Sequence, residues 1–449
     1  MKYNINISIP KNVQYILDTL QKHKYQAFVV GGCVRDCILG RTPGDWDIAT
    51  DALPMEVKVL FPVTLDTGIK HGTVTIIINK SSYEVTTYRI DGEYLDFRKP
   101  QSVTFTSSIE EDLSRRDFII NAIAYNPLRG IVDPFGGISD IKAGVIRTVG
   151  DPDKRFSEDA LRMLRAVRFS AQLGFSINEN TLRSIGINCH MIENISAERI
   201  RDELTKTLLS DNPFCFSLLM DTELIRYTLP EFEPCFLTCQ NNPYHAYDVA
   251  AHTLRSVANI EKDKVLRWTM LFHDIGKPVV KTTDNKGIDH FYNHQQLSVK
   301  LSKTAMLRLR FDKKSMDKIL LLVKYHDMHI KAEPKSVRKA MFKIGEDMFE
   351  NLLKVIEADK KAQNPRLLKE RVEKFSRLWE IYKDIREKEQ CTSLKSLAVS
   401  GDDLITLGIK PGKEIKELLD SLLEKVIEEP ELNKKEILLG LLRQHHRTK

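Results

Sequence analysis

The fold of the N-terminal part of the chain is decided by the stretch Ala27-Phe28-Val29-Val30-Gly31-Gly32-Cys33-Val34-Arg35-Asp36, followed nine residues later by Asp45-Trp46-Asp47. Four apolar residues predict a short buried strand that runs directly into two glycines. Glycines at this place let the backbone approach a phosphate closely and set the amino end of a helix beside it. Arg35 adds a positive charge near those amides. The stretch therefore predicts a strand–turn–helix unit in which Gly31, Gly32 and Arg35 bind a phosphate.

Two carboxylates follow this unit. Asp45 and Asp47 are two residues apart, so on a strand both side chains would project from the same face. Paired carboxylate oxygens suit Mg²⁺, which completes its coordination with substrate phosphates, and Glu84 in a second strand-like run is a candidate third carboxylate. Metal ions held in this way activate an attacking hydroxyl and stabilise leaving pyrophosphate. Each feature alone is more often a tight turn or a solvated loop, but their close order favours catalysis.

Around this centre the first 150 residues have the pattern of a mixed α/β domain. A helix is predicted over 13–20, and strands are predicted over 73–78 and 83–88, where β-branched residues are frequent. From Ser157 onward apolar residues recur every three or four positions, which predicts helices. The expected fold class is α+β: a head with a mixed sheet, followed by a long all-α body.

Breaks in the helical pattern divide the body. We expect a head over 1–150, a helical neck over 151–235, a His-rich helical domain over 236–385 and a tail over 386–449 that begins with two short helices. The tail segment 401–413 has the pattern of a helix, a turn and a helix. Its lysines and turn amides are suited to an RNA phosphate, although helix capping explains the same residues nearly as well.

Composition narrows the class of protein. A chain of 449 residues with 42% hydrophobic residues can bury about three cores, which excludes wholesale disorder. No apolar stretch reaches the about 18 residues of a membrane span, and the N-terminus lacks the apolar core of a secretory signal. Seven scattered cysteines predict reduced thiols in a cytoplasmic protein. The net charge of +6 permits RNA as a partner; no membrane partner is expected, and the oligomeric state stays open.

Several motifs farther along accompany the glycine and aspartate pairs. They are Glu111-Asp112-Leu113-Ser114-Arg115-Arg116-Asp117-Phe118 with Asn121-Ala122, Asp133-Pro134-Phe135-Gly136-Gly137, Glu158-Asp159-Ala160-Leu161-Arg162, Arg165, Arg168-Phe169, and Glu198-Arg199-Ile200-Arg201-Asp202-Glu203-Leu204. In this order the motifs resemble the class II, bacterial-type tRNA nucleotidyltransferases, or CCA-adding enzymes, of the polymerase β superfamily. The resemblance implies a polymerase-β-like head that uses Mg²⁺, with tRNA, CTP and ATP as partners. One departure is Ile119, where relatives often have Thr.

Asp159 and Arg162 suggest how a nucleotide base would be chosen. At i and i+3 on a helix they would be neighbours on one face. A carboxylate only accepts hydrogen bonds and a guanidinium only donates them, so the pair fits the amino group and ring nitrogen of cytosine or adenine. Guanine and uracil present an oxygen to the carboxylate, and a mismatched pair discriminates by about 1–3 kcal/mol. An ordinary helical ion pair explains the same two residues, and only the resemblance favours base selection.

The resemblance also implies which other residues contact the nucleotide. In the family, equivalents of Gly32, Arg35, Arg116, Asp159, Arg162, Arg165 and Arg168 do so. Arg162, Arg165 and Arg168 are three residues apart, and each interval rotates the side-chain direction by about 60° around the helix. Arg168 is therefore expected to point away from Asp159. The later arginines are expected to bind phosphates or brace the site. The segment 89–100 has the composition of a mobile loop. In the family such a loop accompanies the change from adding C to adding A.

A second candidate site lies in the His-rich domain. Its residues are His252, His273, Asp274, His294, His326 and Asp359. The run His273-Asp274-Ile275-Gly276-Lys277 resembles the HD phosphohydrolase superfamily, in which a His, a His-Asp pair and a distant Asp hold a divalent metal. Imidazole together with carboxylate suits a transition metal, and His294 and His326 are candidates for a second ion. Gln295 stands where the superfamily often has Glu, so an RNA-binding body with an unused scaffold is an equal alternative.

The motifs together predict an enzyme that adds C, C and A to the 3′ end of tRNA and releases pyrophosphate. Two alternatives have the same chemistry: an A-adding tRNA nucleotidyltransferase and a bacterial poly(A) polymerase. An alternative of another class is an HD phosphohydrolase whose head only binds RNA. The complete Asp45/Asp47 pair is evidence against the phosphohydrolase interpretation. A non-catalytic RNA-binding protein is hard to reconcile with the presence of both the Asp45/Asp47 pair and the His/Asp group.

Overall fold

The structure is a computed structural model that describes residues 6–92 and 102–447, without the side chains of 367–371 and 444–447. The greater part of the loop expected over 89–100 therefore lies outside the described residues. The chain forms two compact units, residues 1–230 and 231–449. The finer division at 150, 235 and 385 remains a prediction.

The first unit combines a sheet with helices. Its strands are β1 (Ala27–Val30), β2 (Ile48–Thr50), β3 (Thr64–Gly68), β4 (Thr73–Ile78), β5 (Ser81–Thr87), β6 (Arg89–Asp91), β7 (Val103–Phe105), β8 (Ala124–Asn126), β9 (Gly130–Val132), β10 (Val145–Ile146) and β11 (Ser176–Ile177). Its helices are α1 (Lys11–Lys22), α2 (Gly32–Ile38), α3 (Pro54–Leu60), α4 (Ile109–Ser114), α5 (Gly137–Ala143), α6 (Pro152–Glu158), α7 (Leu161–Leu173), α8 (Glu179–Asn188), α9 (Ala197–Leu208), α10 (Leu218–Asp221) and α11 (Leu224–Thr228).

Seven strands form the main sheet in the order β3-β4-β5-β2-β1-β8-β9. The sheet is mixed because β2 and β5 are parallel whereas its other neighbours are antiparallel. α1 packs against β1 and α3, and its fully buried side chains are Val13, Ile16, Leu17 and Leu20. This i, i+3, i+4, i+7 spacing makes one apolar stripe. The predicted α+β head with a mixed sheet is confirmed.

The second unit is helical apart from a two-stranded ribbon, β12 (Thr282–Thr283) and β13 (Asp289–His290). Its helices are α12 (Glu233–Phe236), α13 (Val249–Ala258), α14 (Lys264–Phe272), α15 (Lys277–Val280), α16 (His294–Arg308), α17 (Lys313–Tyr325), α18 (Pro334–Ile344), α19 (Glu346–Ala362), α20 (Leu368–Glu387), α21 (Gly401–Thr406), α22 (Lys413–Glu428) and α23 (Lys435–Arg447). Within the described residues the tail contains α21, α22 and α23, one helix more than the two expected at its start. The predicted helix–turn–helix over 401–413 corresponds to α21 and the start of α22.

α13, α14, α17 and α19 pack against one another around the fully buried Trp268, Phe272 and Phe349. A separate apolar cluster joins α22, α23 and the segment before α21, with Leu423, Val426 and Leu438 at its centre. Among the residues that the structure describes, no helix is both long enough and apolar enough to cross a membrane. The seven cysteines, all within the described ranges, are free.

Candidate active site

The glycine turn after β1 brings an arginine over the backbone. Gly31 has a φ of +79°, a conformation that favours glycine. A Cβ at Gly31 would lie 2.9 Å from Nη1 of Arg116, so the missing side chain makes room for the guanidinium. α2 begins at the next residue, Gly32. The predicted strand–turn–helix unit is confirmed, and Arg116 joins it from a motif 85 residues away.

The carboxylates lie beside this turn but not on a strand. β2 begins at Ile48, so Asp45 and Asp47 precede it, and the expectation that both project from a strand was wrong. The backbone N–H of Val30 donates to the carbonyl of Asp47 at 3.0 Å, which places Asp47 next to the end of β1. Glu84 stands next to it on β5, because Ile48 pairs in register with Val85.

All three carboxylates are exposed, and they influence one another. The pKa of Asp47 is raised by partial loss of hydration and by the negative charges of Asp45 and Glu84. The positive charge of Arg116 opposes this rise in the pKa but does not cancel it. Carboxylates that repel one another in this way would be stabilised by a cation. Asp45, Asp47 and Glu84 do not form a group of three ligand atoms within 4.8 Å of one another, whereas two His/Asp groups of the second unit do.

A chain of hydrogen bonds links the turn to α7. Arg35 Nη1 donates to Asn121 Oδ1 at 2.7 Å, and Asn121 Nδ2 donates to Asp117 Oδ1 at 3.2 Å. The other oxygen of Asp117 accepts from Nε of Arg165 at 2.8 Å. Burial raises the pKa of Asp117, but the charge and hydrogen bonds of Arg165 outweigh it and hold that pKa well below its usual range. Two of the predicted nucleotide-binding arginines are thus oriented through buried polar groups.

The ring of Phe169 lies among three guanidiniums, those of Arg35, Arg165 and Arg168, at 5.2, 5.4 and 4.2 Å from its centroid. Cations over an aromatic face are attracted to it. Arg168 also donates to Glu203 Oε1 at 3.1 Å, and both side chains are buried. Burial and the charge of Arg165 lower the pKa of Arg168 to about 10, so Arg168 remains a cation at neutral pH. Arg168 is thus held by Glu203 and Phe169, and its bracing role stays a prediction.

Asp159 and Arg162 are not neighbours on a helix face. α6 ends at Glu158, Asp159 has an extended backbone, and α7 begins at Leu161. The Asp159 carboxylate accepts from Arg199 Nη2 at 2.9 Å, whereas Arg162 Nη1 donates to Glu158 at 2.7 Å. Neither the predicted shared helical face nor an ordinary ion pair between Asp159 and Arg162 is present, because the helix breaks between Glu158 and Leu161.

In the second unit the predicted metal ligands converge. His252 lies on α13 and Asp359 on α19, while His273 and Asp274 follow α14. Nε2 of His252 is 3.0 Å from Asp359 Oδ1 and 3.4 Å from Asp274 Oδ2, and Nε2 of His273 is 3.2 Å from the same Asp274 oxygen. Ligand atoms bonded to one ion at about 2.0–2.2 Å are separated by distances of this size.

A second group shares Asp274. Its other oxygen, Oδ1, is 3.3 Å from Nε2 of His294 and 3.6 Å from Nε2 of His326. The two imidazole nitrogens are 3.2 Å apart. The candidates for a second ion therefore face the remaining oxygen of the carboxylate that belongs to the first group, and Asp274 is placed to bridge two cations.

The histidines are oriented for ligation. Nδ1 of His252, His273, His294 and His326 faces the backbone carbonyl of Ala362, Met270, Phe291 and Val323, respectively. A carbonyl only accepts, so in neutral imidazole Nδ1 carries the proton and Nε2 presents a lone pair. Burial lowers the pKa of His273, but Asp274 and Asp359 outweigh it and raise the pKa to about 10. The residues present attract positive charge and fit divalent metal ions.

These clusters line a cavity of about 870 Å³ whose wall includes Lys277 and Lys360. Lys277 Nζ is 2.6 Å from Asp274 Oδ2, and Gln295 faces Asp327 with 3.5 Å between Nε2 and Oδ2. The ring of His245 stands 5.2 Å from that of His252. Burial and the charge of Lys277 lower the pKa of His245 to about 3, so it is neutral. Sequence reasoning missed His245 because a lone histidine in a loop carries no spacing signal.

Comparison with known families agrees with this geometry. Residues 27–147 match the poly A polymerase head domain, 174–236 match a probable RNA- and SrmB-binding site of polymerase A, and 291–442 match a putative tRNA nucleotidyltransferase domain 2. The mixed sheet, the glycine turn and the adjacent carboxylates accordingly place this protein in the class of nucleotidyltransferases.

The similar proteins define the family more narrowly. A CCA-adding enzyme of Bacillus pumilus is 38% identical over 429 residues, 94% of either chain. The crystal structure of the Bacillus stearothermophilus CCA-adding enzyme in complex with CTP is 31% identical, with a TM-score of 0.71 over 98% of this chain and 100% of that one. This chain belongs to the family of CCA-adding enzymes. The CCA-adding enzyme of Anoxybacillus flavithermus is 51% identical over 219 residues. In that alignment the chain spans about half the length of the curated relative, 54%.

Proposed function

We propose that this protein adds C, C and A to the 3′ end of tRNA from CTP and ATP. The observation that carries the proposal is the position of Asp47 beside the Gly31 turn, with Arg116 lying over that turn. Acidic oxygens, the amino end of α2 and a guanidinium there meet the needs of a nucleoside triphosphate and its metal.

Asp45 and Asp47, with Glu84 nearby, would hold Mg²⁺, which polarises the α-phosphate and the tRNA hydroxyl when bound. The 3′ hydroxyl oxygen of the tRNA would form a bond to the α-phosphorus and release its proton to water. The bond from that phosphorus to the oxygen bridging it to the β-phosphate would break, and pyrophosphate would leave. The backbone N–H of Gly32 and the side chains of Arg35, Arg116 and Arg165 would neutralise the triphosphate, whereas the N–H of Gly31 donates to the carbonyl of Ile123. Arg168, which is paired with Glu203, shares the ring of Phe169 with Arg35 and Arg165 and would brace these two side chains.

Asp159 and Arg162 are proposed to read the base edge from two different supports. Arg199 holds the acceptor and Glu158 holds the donor. Because each group is fixed by its own partner, the base would meet a preorganised acceptor and donor rather than a mutual ion pair. This arrangement favours cytosine and adenine over bases that present an oxygen in place of the amino group.

The decisive experiment incubates the protein and Mg²⁺ with tRNA that ends at the discriminator base, at CC or at CCA. CTP and ATP are supplied separately and together. Growth by C, C and A followed by a stop is expected. Extension of the CC end alone would indicate an A-adding enzyme, and unlimited adenylation a poly(A) polymerase. D47N should abolish extension, whereas D66N, which removes an exposed carboxylate on β3, should leave it unchanged.

We propose a phosphohydrolase activity for the second unit, favoured by the two His/Asp groups that share Asp274. His252, His273, Asp274 and Asp359 would hold one divalent transition metal, and His294 and His326 with Asp274 a second. When bound, the metals would act as Lewis acids that lower the pKa of water and polarise a phosphate ester, whose hydrolysis consumes one water and yields an alcohol and phosphate. Lys277 and Lys360 stand in the same cavity for the phosphate charge.

The test is hydrolysis of p-nitrophenyl phosphate by the full chain with Mn²⁺, Ni²⁺ or Mg²⁺. H273A should abolish hydrolysis and leave tRNA extension intact, while D47N should do the reverse. If H273A stopped tRNA extension and D47N did not, the head would be an RNA-binding domain only. If no metal supported hydrolysis, the His/Asp groups would be a structural scaffold.

A further inference from the structure

Positive charge is concentrated in one segment of the second unit. Between residues 296 and 343 there are 13 Lys and Arg but only 4 Asp and Glu, an excess of nine, whereas the whole chain has an excess of six. The segment covers nearly all of α16, all of α17 and most of α18. The remainder of the chain is therefore slightly acidic, and the charge of this segment is a local feature.

On α18 the charge forms a row. Lys335, Lys339 and Lys343 are four residues apart, so they lie on one face of the helix, about 6 Å from one to the next along its axis. All three side chains are exposed, and they line a cavity of about 310 Å³. We call this row and its cavity the lysine groove. Acidic groups only partly offset it: Glu333 shares the lining, and Glu428 pairs with Lys335 and Lys339.

The lysine groove adjoins the cavity of the metal ligands. Both cavities are bounded by Met328, His329 and Ile330, which follow His326 and Asp327 in the chain. Two exposed aromatic rings, Tyr244 and Tyr292, stand in the wall of the metal-ligand cavity. The row of cations thus adjoins a cavity whose wall contains both the two aromatic rings and members of the His/Asp groups.

We propose that the lysine groove binds the backbone of a single-stranded nucleic acid whose terminal phosphate enters the cavity of the His/Asp groups. The inference rests on the phosphohydrolase function proposed above and names its substrate class. A buried cluster is reached by a strand end but not by a phosphate inside a duplex. Aligned lysines neutralise successive phosphates, and exposed aromatic rings stack on bases. A free mononucleotide would need neither the length of the groove nor three cations outside the metal-ligand cavity.

The test compares two substrates of the full chain loaded with Mn²⁺. One is an RNA hexanucleotide with a 3′-phosphate and a 5′ fluorescein, and the other is p-nitrophenyl phosphate. The groove variant is K335Q/K339Q/K343Q. The matched control is K313Q/K314Q/K318Q, which removes the same charge from α17, outside the lining of both cavities. Binding of the hexanucleotide is followed by fluorescence anisotropy over a range of salt concentrations.

The groove variant should bind the hexanucleotide and remove its 3′-phosphate about 10- to 100-fold less well at low salt. The slope of the logarithm of its binding constant against the logarithm of salt concentration should fall in magnitude by about 2, near 0.7 for each lost phosphate contact. The groove variant should hydrolyse p-nitrophenyl phosphate as the wild type does. The control variant should match the wild type with both substrates. Unchanged hexanucleotide binding, or an equal loss with both substrates, would overturn the inference. So would a loss confined to tRNA extension, which would assign the lysines to tRNA docking.

Failure of the two proposals can be told apart. Suppose that the wild type hydrolysed neither substrate, and that the groove variant bound the hexanucleotide more weakly than the wild type and the control variant did. The groove proposal would then stand and the phosphohydrolase proposal would fall. If the wild type hydrolysed p-nitrophenyl phosphate and the groove variant cleaved the hexanucleotide normally, the phosphohydrolase would stand and the groove would fall.

Discussion

Asp159 is held by Arg199, 2.9 Å away on α9, and not by Arg162, which stands three residues along the chain from it. The break between α6 and α7 turns the Asp159 carboxylate toward α9 and leaves Arg162 to Glu158. The two groups proposed to read the base are therefore fixed independently, and each support can be removed by itself.

Replacement of Arg199 should impair base selection. R199Q removes a charge-assisted hydrogen bond of about 1.5–3 kcal/mol, so kcat/KM for CTP and ATP should fall about 10- to 100-fold. Incorporation of GTP and UTP relative to CTP and ATP should rise, since Asp159 is no longer held in place. Single-nucleotide addition to tRNA ending at the discriminator base and at CC measures both quantities.

The control for this prediction is R201Q on the same helix, where Arg201 bonds to the adjacent Asp202. It should leave the nucleotide preference unchanged. A loss of rate in R199Q with unaltered preference among the four nucleotides would mean that Arg199 only stabilises the fold.

The buried pair of Arg168 and Glu203 should dominate the stability of its region. E203Q leaves the buried Arg168 cation without a counter-charge, which should destabilise the folded chain by about 3 kcal/mol. The melting temperature of the corresponding calorimetric transition should then fall by roughly 6–12 °C. E223Q is the matched control, because its partner Arg226 and Glu223 itself are both more than half exposed, and its effect should stay below about 1 kcal/mol. Equal shifts in the two variants would contradict the prediction.

Metal binding in the second unit should depend unequally on the ligands. Because Asp274 faces both groups, D274N should abolish binding at both positions, whereas H326A should remove one equivalent of two. Equilibrium dialysis against Mn²⁺ followed by elemental analysis measures the stoichiometry. H290A, which replaces a histidine bonded to Asp284 outside the clusters, should retain both equivalents. A single equivalent in the wild type would show that only one position binds metal.

Asp117 should make stability depend on acid pH. Its pKa in the folded chain is depressed, mainly by Arg165 acting against burial, whereas in the unfolded chain it is about 3.9. The stabilisation is therefore fully present above about pH 4 and is lost as the pH falls toward the folded-state pKa. The melting temperature of the wild type should exceed that of D117N at pH 7, and the difference should shrink between pH 4 and pH 2.

Thermal scans from pH 2 to pH 7 check this prediction. D202N removes an exposed carboxylate from α9 and should follow the wild-type curve. A constant difference between the wild type and D117N at every pH would show that the Asp117 ion pair contributes nothing that depends on its charge.

The individual helices and strands could be predicted from the sequence because each depends on the residues within its own segment. The apolar run before Gly31, the β-branched runs and the three-to-four-residue spacing of α1 follow from strand alternation and helical periodicity. The structure also brings together His252, His273, Asp274 and Asp359, the four residues predicted to bind one metal ion, and their binding of the metal stays a prediction. That inference came from the likeness of the motif to a known superfamily and not from spacing, since 107 residues separate His252 from Asp359.

Only the tertiary structure decided which polar groups meet. A rule for helix neighbours paired Asp159 with Arg162, but it presupposed a helix that breaks at Asp159. The links from Asn121 to Arg35 and from Glu203 to Arg168 join residues 86 and 35 positions apart. The position of Asp274 between two groups of histidines, and of the α18 lysines near them, depends on how α13, α14, α16, α17 and α18 pack. Sequence determines the chemistry and the local conformation of each segment, whereas the partner of a buried charge is set by packing between segments.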